Sequence, residues 1–103
     1  MAISNTGLTT IVSNVYVSSG NSVISAMYFC NTDTTAKNIN VYAVPAGTVT
    51  VDANVQIYKN IQIASGDTFV VDMEKLVLAN GDTIRANASA NLSVTATVSY
   101  VGI

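Results

Sequence analysis

Two stretches of this chain repeat one pattern: Ala64-Ser65-Gly66-Asp67-Thr68-Phe69 and Ala79-Asn80-Gly81-Asp82-Thr83-Ile84. In each, a small residue, a polar residue, Gly and Asp are followed at once by a run suited to a strand. Asn-Gly is among the strongest short-range hairpin signals, because glycine accepts φ > 0 without a steric penalty, and Ser-Gly is a weaker form of the same punctuation. Both copies read as reversals between strands. A chain that must turn sharply twice within Ile61 to Ala86, with little but strand-formers between the turns, is constrained to an all-β scaffold.

The rest of the chain agrees. Leu8 to Val17 is dense in β-branched residues and runs into the turn cluster Ser18-Ser19-Gly20-Asn21, which calls for a hairpin. In Ser22 to Cys30 both alternating sets are largely apolar, Val23, Met27 and Phe29 against Ile24, Ala26, Tyr28 and Cys30. A strand of that kind is covered on both faces, either by lying centrally in the fold or by a neighbouring subunit. Lys37 to Val44 alternates cleanly, with Ile39, Val41 and Ala43 inward and Asn38, Asn40 and Tyr42 outward. From Val55 to Ile63, Val55, Ile57, Ile61 and Ile63 share one parity with Lys59 interrupting, which suggests a bulge or a snorkelling lysine. Short strands follow at Asp67 to Asp72 and Leu76 to Leu78, joined by Met73-Glu74-Lys75. In the final section Leu92, Val94, Ala96, Val98 and Tyr100 face one way, and Ser93, Thr95, Thr97 and Ser99 the other. About seven to nine short strands with frequent turn signals predict a single antiparallel β-sandwich over 1–103, of immunoglobulin-like or jelly-roll topology. Residues 1–7 precede it as a possible docking arm.

Of the 103 residues half are hydrophobic, yet only 10% are charged, against roughly a quarter in an ordinary soluble domain. Thr, Asn and Ser take the place of Lys and Glu. A surface with few long charged side chains loses little rotamer entropy and little solvation energy when covered, so it suits permanent contact with neighbours. The competing explanation is that Thr-rich faces follow from strand propensity. The basic residues Lys37, Lys59, Lys75 and Arg85 are scattered and the net charge is −2, which argues against nucleic acid and anionic membrane partners. The start MAISNTGLTT lacks a signal peptide's charged and apolar regions, and no stretch approaches the ~20 apolar residues of a membrane span, so a protein folded in a cytoplasm is expected.

Little in the chain suggests catalysis. There is no histidine, so Ser/His/Asp and Cys/His arrangements cannot be built, and no catalytic residue is assigned. Cys30 is the only cysteine, which excludes an internal disulfide and thiolate-pair metal sites. Asp67 and Asp82 follow the turn glycines, where a carboxylate commonly accepts from nearby backbone N–H groups. Asp67, Asp72 and Glu74 match no calcium-loop spacing, and no cofactor or metal is expected. Tyr42 and Tyr58 fall on the polar parity of their strands, where a large amphipathic ring is a typical interface anchor, or else pairs across strands on an exposed face. With Ile3 near the start and the apolar ending Val101 and Ile103, they form the candidate interface set.

The block from Asp67 to Ala86, with its Lys75-Leu76-Val77-Leu78 run, Gly81-Asp82, Ile84 and Ala86, then Ala88-Ser89-Ala90 and the ending Val98-Ser99-Tyr100-Val101-Gly102-Ile103, resembles small all-β virion structural proteins of tailed bacteriophages, of the cyanophage and marine phage type. The resemblance covers the C-terminal part of the chain; the N-terminal half matches only in style. It implies a non-enzymatic virion subunit present in many copies, made in the host cytoplasm. Its expected role is capsid decoration or cement, contacting the major capsid protein or other virion proteins as a homo-oligomer, a trimer by analogy. A tail, neck or fibre-attachment component is the second expectation and a carbohydrate-binding adsorption module the third, the last disfavoured by the absence of Trp.

Overall fold

A computed structural model describes residues 2–48, 55–71 and 76–103. The described residues are all-β and form nine strands: β1 (Ala2–Gly7), β2 (Ser13–Val17), β3 (Ser22–Asn31), β4 (Lys37–Val44), β5 (Gln56–Ile63), β6 (Thr68–Val71), β7 (Leu76–Leu78), β8 (Thr83–Ala88) and β9 (Val94–Gly102). They form two antiparallel sheets packed as a sandwich. Sheet A runs β1-β9-β3-β6, with β7 also on β3; sheet B runs β2-β8-β4-β5. Because β6 pairs with Met27–Cys30 and β7 with Ser22–Ile24, the two short strands share one position beside β3. The resulting order is that of a jelly roll, so of the two topologies left open by the sequence this is the one adopted.

Both matched turns are reversals, but neither closes a hairpin within one sheet. The turn Ala64–Asp67 carries the chain from β5 in sheet B to β6 in sheet A, and Ala79–Asp82 carries it from β7 in sheet A to β8 in sheet B. Ser18–Asn21, expected to close a hairpin, likewise crosses from β2 to β3. A turn sequence fixes that the chain reverses but not which neighbour the next strand finds, and here burial of both apolar faces against each other decides.

The core lies between the sheets, with Phe29, Ile24 and Met27 of β3, Ile39 and Val41 of β4, Ile84 of β8 and Val94 and Val98 of β9 almost fully buried. The alternation expected for β4 and β9 holds, except that Leu92 lies before β9, exposed, with φ of 57°. Two register breaks revise the other assignments. In β3 the break between Ile24 and Ala26 lets Ile24 and Met27 both face inward, so Val23 stands outside with Tyr28. In β5 the interruption at Lys59 is a bulge: Asn60 has φ of 52° and the pairing with β4 shifts between Ile39 and Val41. Beyond it the parity flips, so Tyr58 pairs with Val41 and faces inward while Ile57 is exposed. Of residues 1–7, expected as a possible docking arm, Ala2–Gly7 form β1, which is paired to β9 from Ala2↔Tyr100 to Gly7↔Thr95. The connection Met73-Glu74-Lys75 lies outside the described residues.

Candidate interaction surface

The two sheets present opposite chemistry to their surroundings. In sheet B the outward set of β4 and β8 is polar: Asn40 Nδ2 donates to Asn87 Oδ1 at 3.1 Å, and Asn40 Oδ1 accepts from Gln56 Nε2 and the Asn60 N–H, each at 3.0 Å. Lys37, Lys59 and Arg85, the charged residues found in described strands, all belong to this sheet. The five strands of sheet A carry no charged side chain at all.

Cross-strand partners project to the same side of a sheet, so the register of sheet A maps its outer face. One row runs Val77–Val23–Val101, since Val23 is opposite both Val77 and Val101. A second runs Val70–Tyr28–Thr97–Asn5 and a third Thr68–Cys30–Thr95. Ile3, opposite Ser99, lies one diagonal step from Val101. Val77 is 70% exposed and Ile3 65%, with Val70 and Tyr28 about two-fifths exposed. Ser25 Oγ donates to Ser99 at the centre of the face, so the polar groups there are engaged within the sheet.

Of the five interface residues expected from sequence, the fold brings two onto this face, Ile3 and Val101. Ile103 follows β9, exposed, with its N–H donated to Asn21 O at 2.9 Å. Tyr42 is half-buried on the outer side of sheet B, opposite Arg85 and Gln56. Tyr58 is not on the outer surface of its sheet: its ring meets Phe69 edge-on at 5.5 Å between centroids, against the core. Val23, Tyr28, Val70 and Val77 were missed. β6 and β7 are too short to display alternation, and the break after Ile24 conceals the true outward set of β3.

The described carboxylates, Asp33, Asp67 and Asp82, are held in loops by hydrogen bonds. Asp82 accepts the Ala46 N–H on Oδ1 at 2.8 Å and the Ala79 N–H on Oδ2 at 2.9 Å; these bonds, that from Ala46 foremost, hold its carboxyl below the usual range. Asp33 is likewise lowered, first by the Thr34 N–H at 2.7 Å, then by the Ser93 hydroxyl at 3.0 Å, with Lys37 Nζ at 3.5 Å adding attraction. Asp67 Oδ1 accepts the Thr68 N–H, while Asp72 and Glu74 lie outside the described residues. Among the described residues no three His, Cys, Asp or Glu side chains gather where they would hold a metal ion. A cleft of about 370 Å³ is lined by Met27, Ile57, Tyr58, Val71 and Leu76, whose side chains are apolar apart from one phenol. No helix of the described chain is long and apolar enough to cross a membrane. Compared with protein families, curated proteins and solved structures, the chain matches none of them.

Proposed function

We propose that this chain is a non-enzymatic structural subunit of a bacteriophage particle, acting as a decoration or cement protein that stabilises the head shell through contacts with the major capsid protein. The observation that carries the reading is the outer face of sheet A: a surface of Val, Ile, Tyr, Thr and Ser with no charged residue in its strands, beside a polar, cation-bearing sheet. Ile3, Tyr28, Val70 and Val77 stand exposed together on it, and apolar side chains gathered on one face mark a site of protein contact. The β-sandwich gives the patch a rigid backing, and the resemblance of the C-terminal block from Asp67 onward to phage virion proteins supplies the setting. Many modest contacts repeated by symmetry then stabilise a shell without any single strong one. Quantitative mass spectrometry of purified particles tests this. Copies on the order of hundreds per particle are expected, as a symmetric shell requires. A dozen or fewer transfers the subunit to the tail or neck, and absence from particles overturns the reading.

A further inference from the structure

On the proposed function, on which this inference rests, the outer face of sheet A is covered by another protein. We propose that what covers it is the same face of a second copy of this chain, the two sheets stacked face to face about a two-fold axis.

The first argument is electrostatic. In a two-fold contact the same patch meets itself, so any charged face sets like charges together. Sheet B, whose outer side carries Arg85 opposite Tyr42, would do so. Sheet A has no charge in its five strands, so self-contact neither repels nor strips water from an ion. Among its described residues an acidic or basic partner finds nothing to pair with.

The second argument is size. The five strands of sheet A hold 32 residues, which at ~4.8 Å per strand and ~3.3 Å per residue cover roughly 500 Å². Two such faces bury roughly 1,000 Å², the area a biological contact has to reach.

The third is the composition of β3. Its outward residues are Val23, Ser25, Tyr28 and Cys30, apolar apart from Ser25 and only half-buried or exposed, and no further sheet among the described residues lies over them. Rows of Val and Thr stack on like rows with the ~10 Å layer spacing of a sandwich interior. A three-fold ring joins two different patches and leaves this face unable to meet itself, so the contact implies a dimer and not the trimer expected by analogy.

The test is sedimentation equilibrium on the full recombinant chain, without particles, so that it can fail while the virion reading stands, or the reverse. Wild type is expected to be a reversible dimer. V70K/V77K, at two exposed positions, is expected to weaken association at least about tenfold, and I11K, exposed but off the face, to leave it unchanged. As a readout that needs no substitution, maleimide labelling of Cys30, on the third row of the face, should slow several-fold as the unmodified chain is concentrated through the dimerisation range. A monomer at about 100 µM, a trimer, association insensitive to V70K/V77K, or Cys30 labelling independent of concentration overturns the proposal.

Discussion

Asn31 is the residue through which one end of the sandwich is tied. Its side chain has 0% exposure, and its Nδ2 donates to Thr35 O and Ile63 O, both at 2.9 Å, while Oδ1 accepts the Asp33 N–H at 3.0 Å. N31A leaves carbonyls and an amide without their partner in a site water does not reach. It is expected to cost about 3 kcal/mol, read as a lowered urea midpoint with an unchanged slope; a loss under about 1 kcal/mol would mean that solvent reaches the site. Asp82 works at the opposite end and is sensitive to pH. Its folded-state pKa is depressed, so its contribution is fully present above the unfolded aspartate value of about 3.9 and is lost as pH falls through the lower folded value. D82N is therefore expected to unfold more easily than wild type at neutral pH, with the gap in thermal midpoint closing as pH drops below about 4. A gap that persists in acid would mean that the cost is steric and not charge-linked. Asp82 as a turn residue is legible in the sequence, because the Gly-Asp step announces it. Asn31 is not, since an isolated Asn beside Thr and Asp looks like an exposed loop.

At the level of elements, the two matched turns are built to one design. Asp67 N–H and Asp82 N–H close them onto Ala64 O and Ala79 O, at 3.0 and 3.1 Å. Gly66 and Gly81 then donate to the carbonyls of Asn31 and Ser18, whose own N–H groups return to Asp67 O and Asp82 O. Each turn is thus pinned to the end of a strand in the sheet it leads into, β3 for Ala64–Asp67 and β2 for Ala79–Asp82. The glycines stand at φ of 72° and 88°, a region that costs other residues about 1–2 kcal/mol. They differ in surroundings: a Cβ on Gly66 meets nothing within 4 Å, whereas one on Gly81 lies 3.1 Å from Ala46 Cβ. G66A should cost about 1 kcal/mol and G81A about 2 kcal/mol or more, since the Pro45–Thr48 turn must also give way. Equal losses by denaturant titration would show that the neighbouring loop yields freely. The repeat predicted these turns correctly, but turn chemistry is local and sheet partnership is not. The same limit explains Tyr58 and Ile57, whose exchange of faces depends on a bulge that the sequence signalled at Lys59 without saying which way the strand would lean.

In the molecule as a whole, nearly every connection crosses between sheets; β4 and β5 are the sequence neighbours that pair directly, while β6 and β7 lie end to end along β3. Strand pairing therefore joins residues far apart in the chain, β1 with β9 and β2 with β8 among them. Loop-closure entropy must be met before such contacts form, so refolding is expected in milliseconds to seconds despite the short chain. Stopped-flow refolding in microseconds would contradict the topology. The all-β class was legible from composition and turn spacing, and the strands of the second half from alternation. The charge-free sheet was not, because its residues come from both ends and the middle of the sequence and become one face only when the register is known.

The pairing of the first strand with the last bears on synthesis. β1 leaves the ribosome roughly 90 residues ahead of its partner, a delay on the order of 5–20 s at common elongation rates. Throughout that interval Ala2–Gly7 has an unsatisfied edge, and β3 has an apolar face with neither β6, β7 nor β9 beside it. A nascent chain of this kind depends on low local concentration or on a holding chaperone until residues 94–102 emerge. Polysomes carrying many such chains bring these unpaired edges closest together.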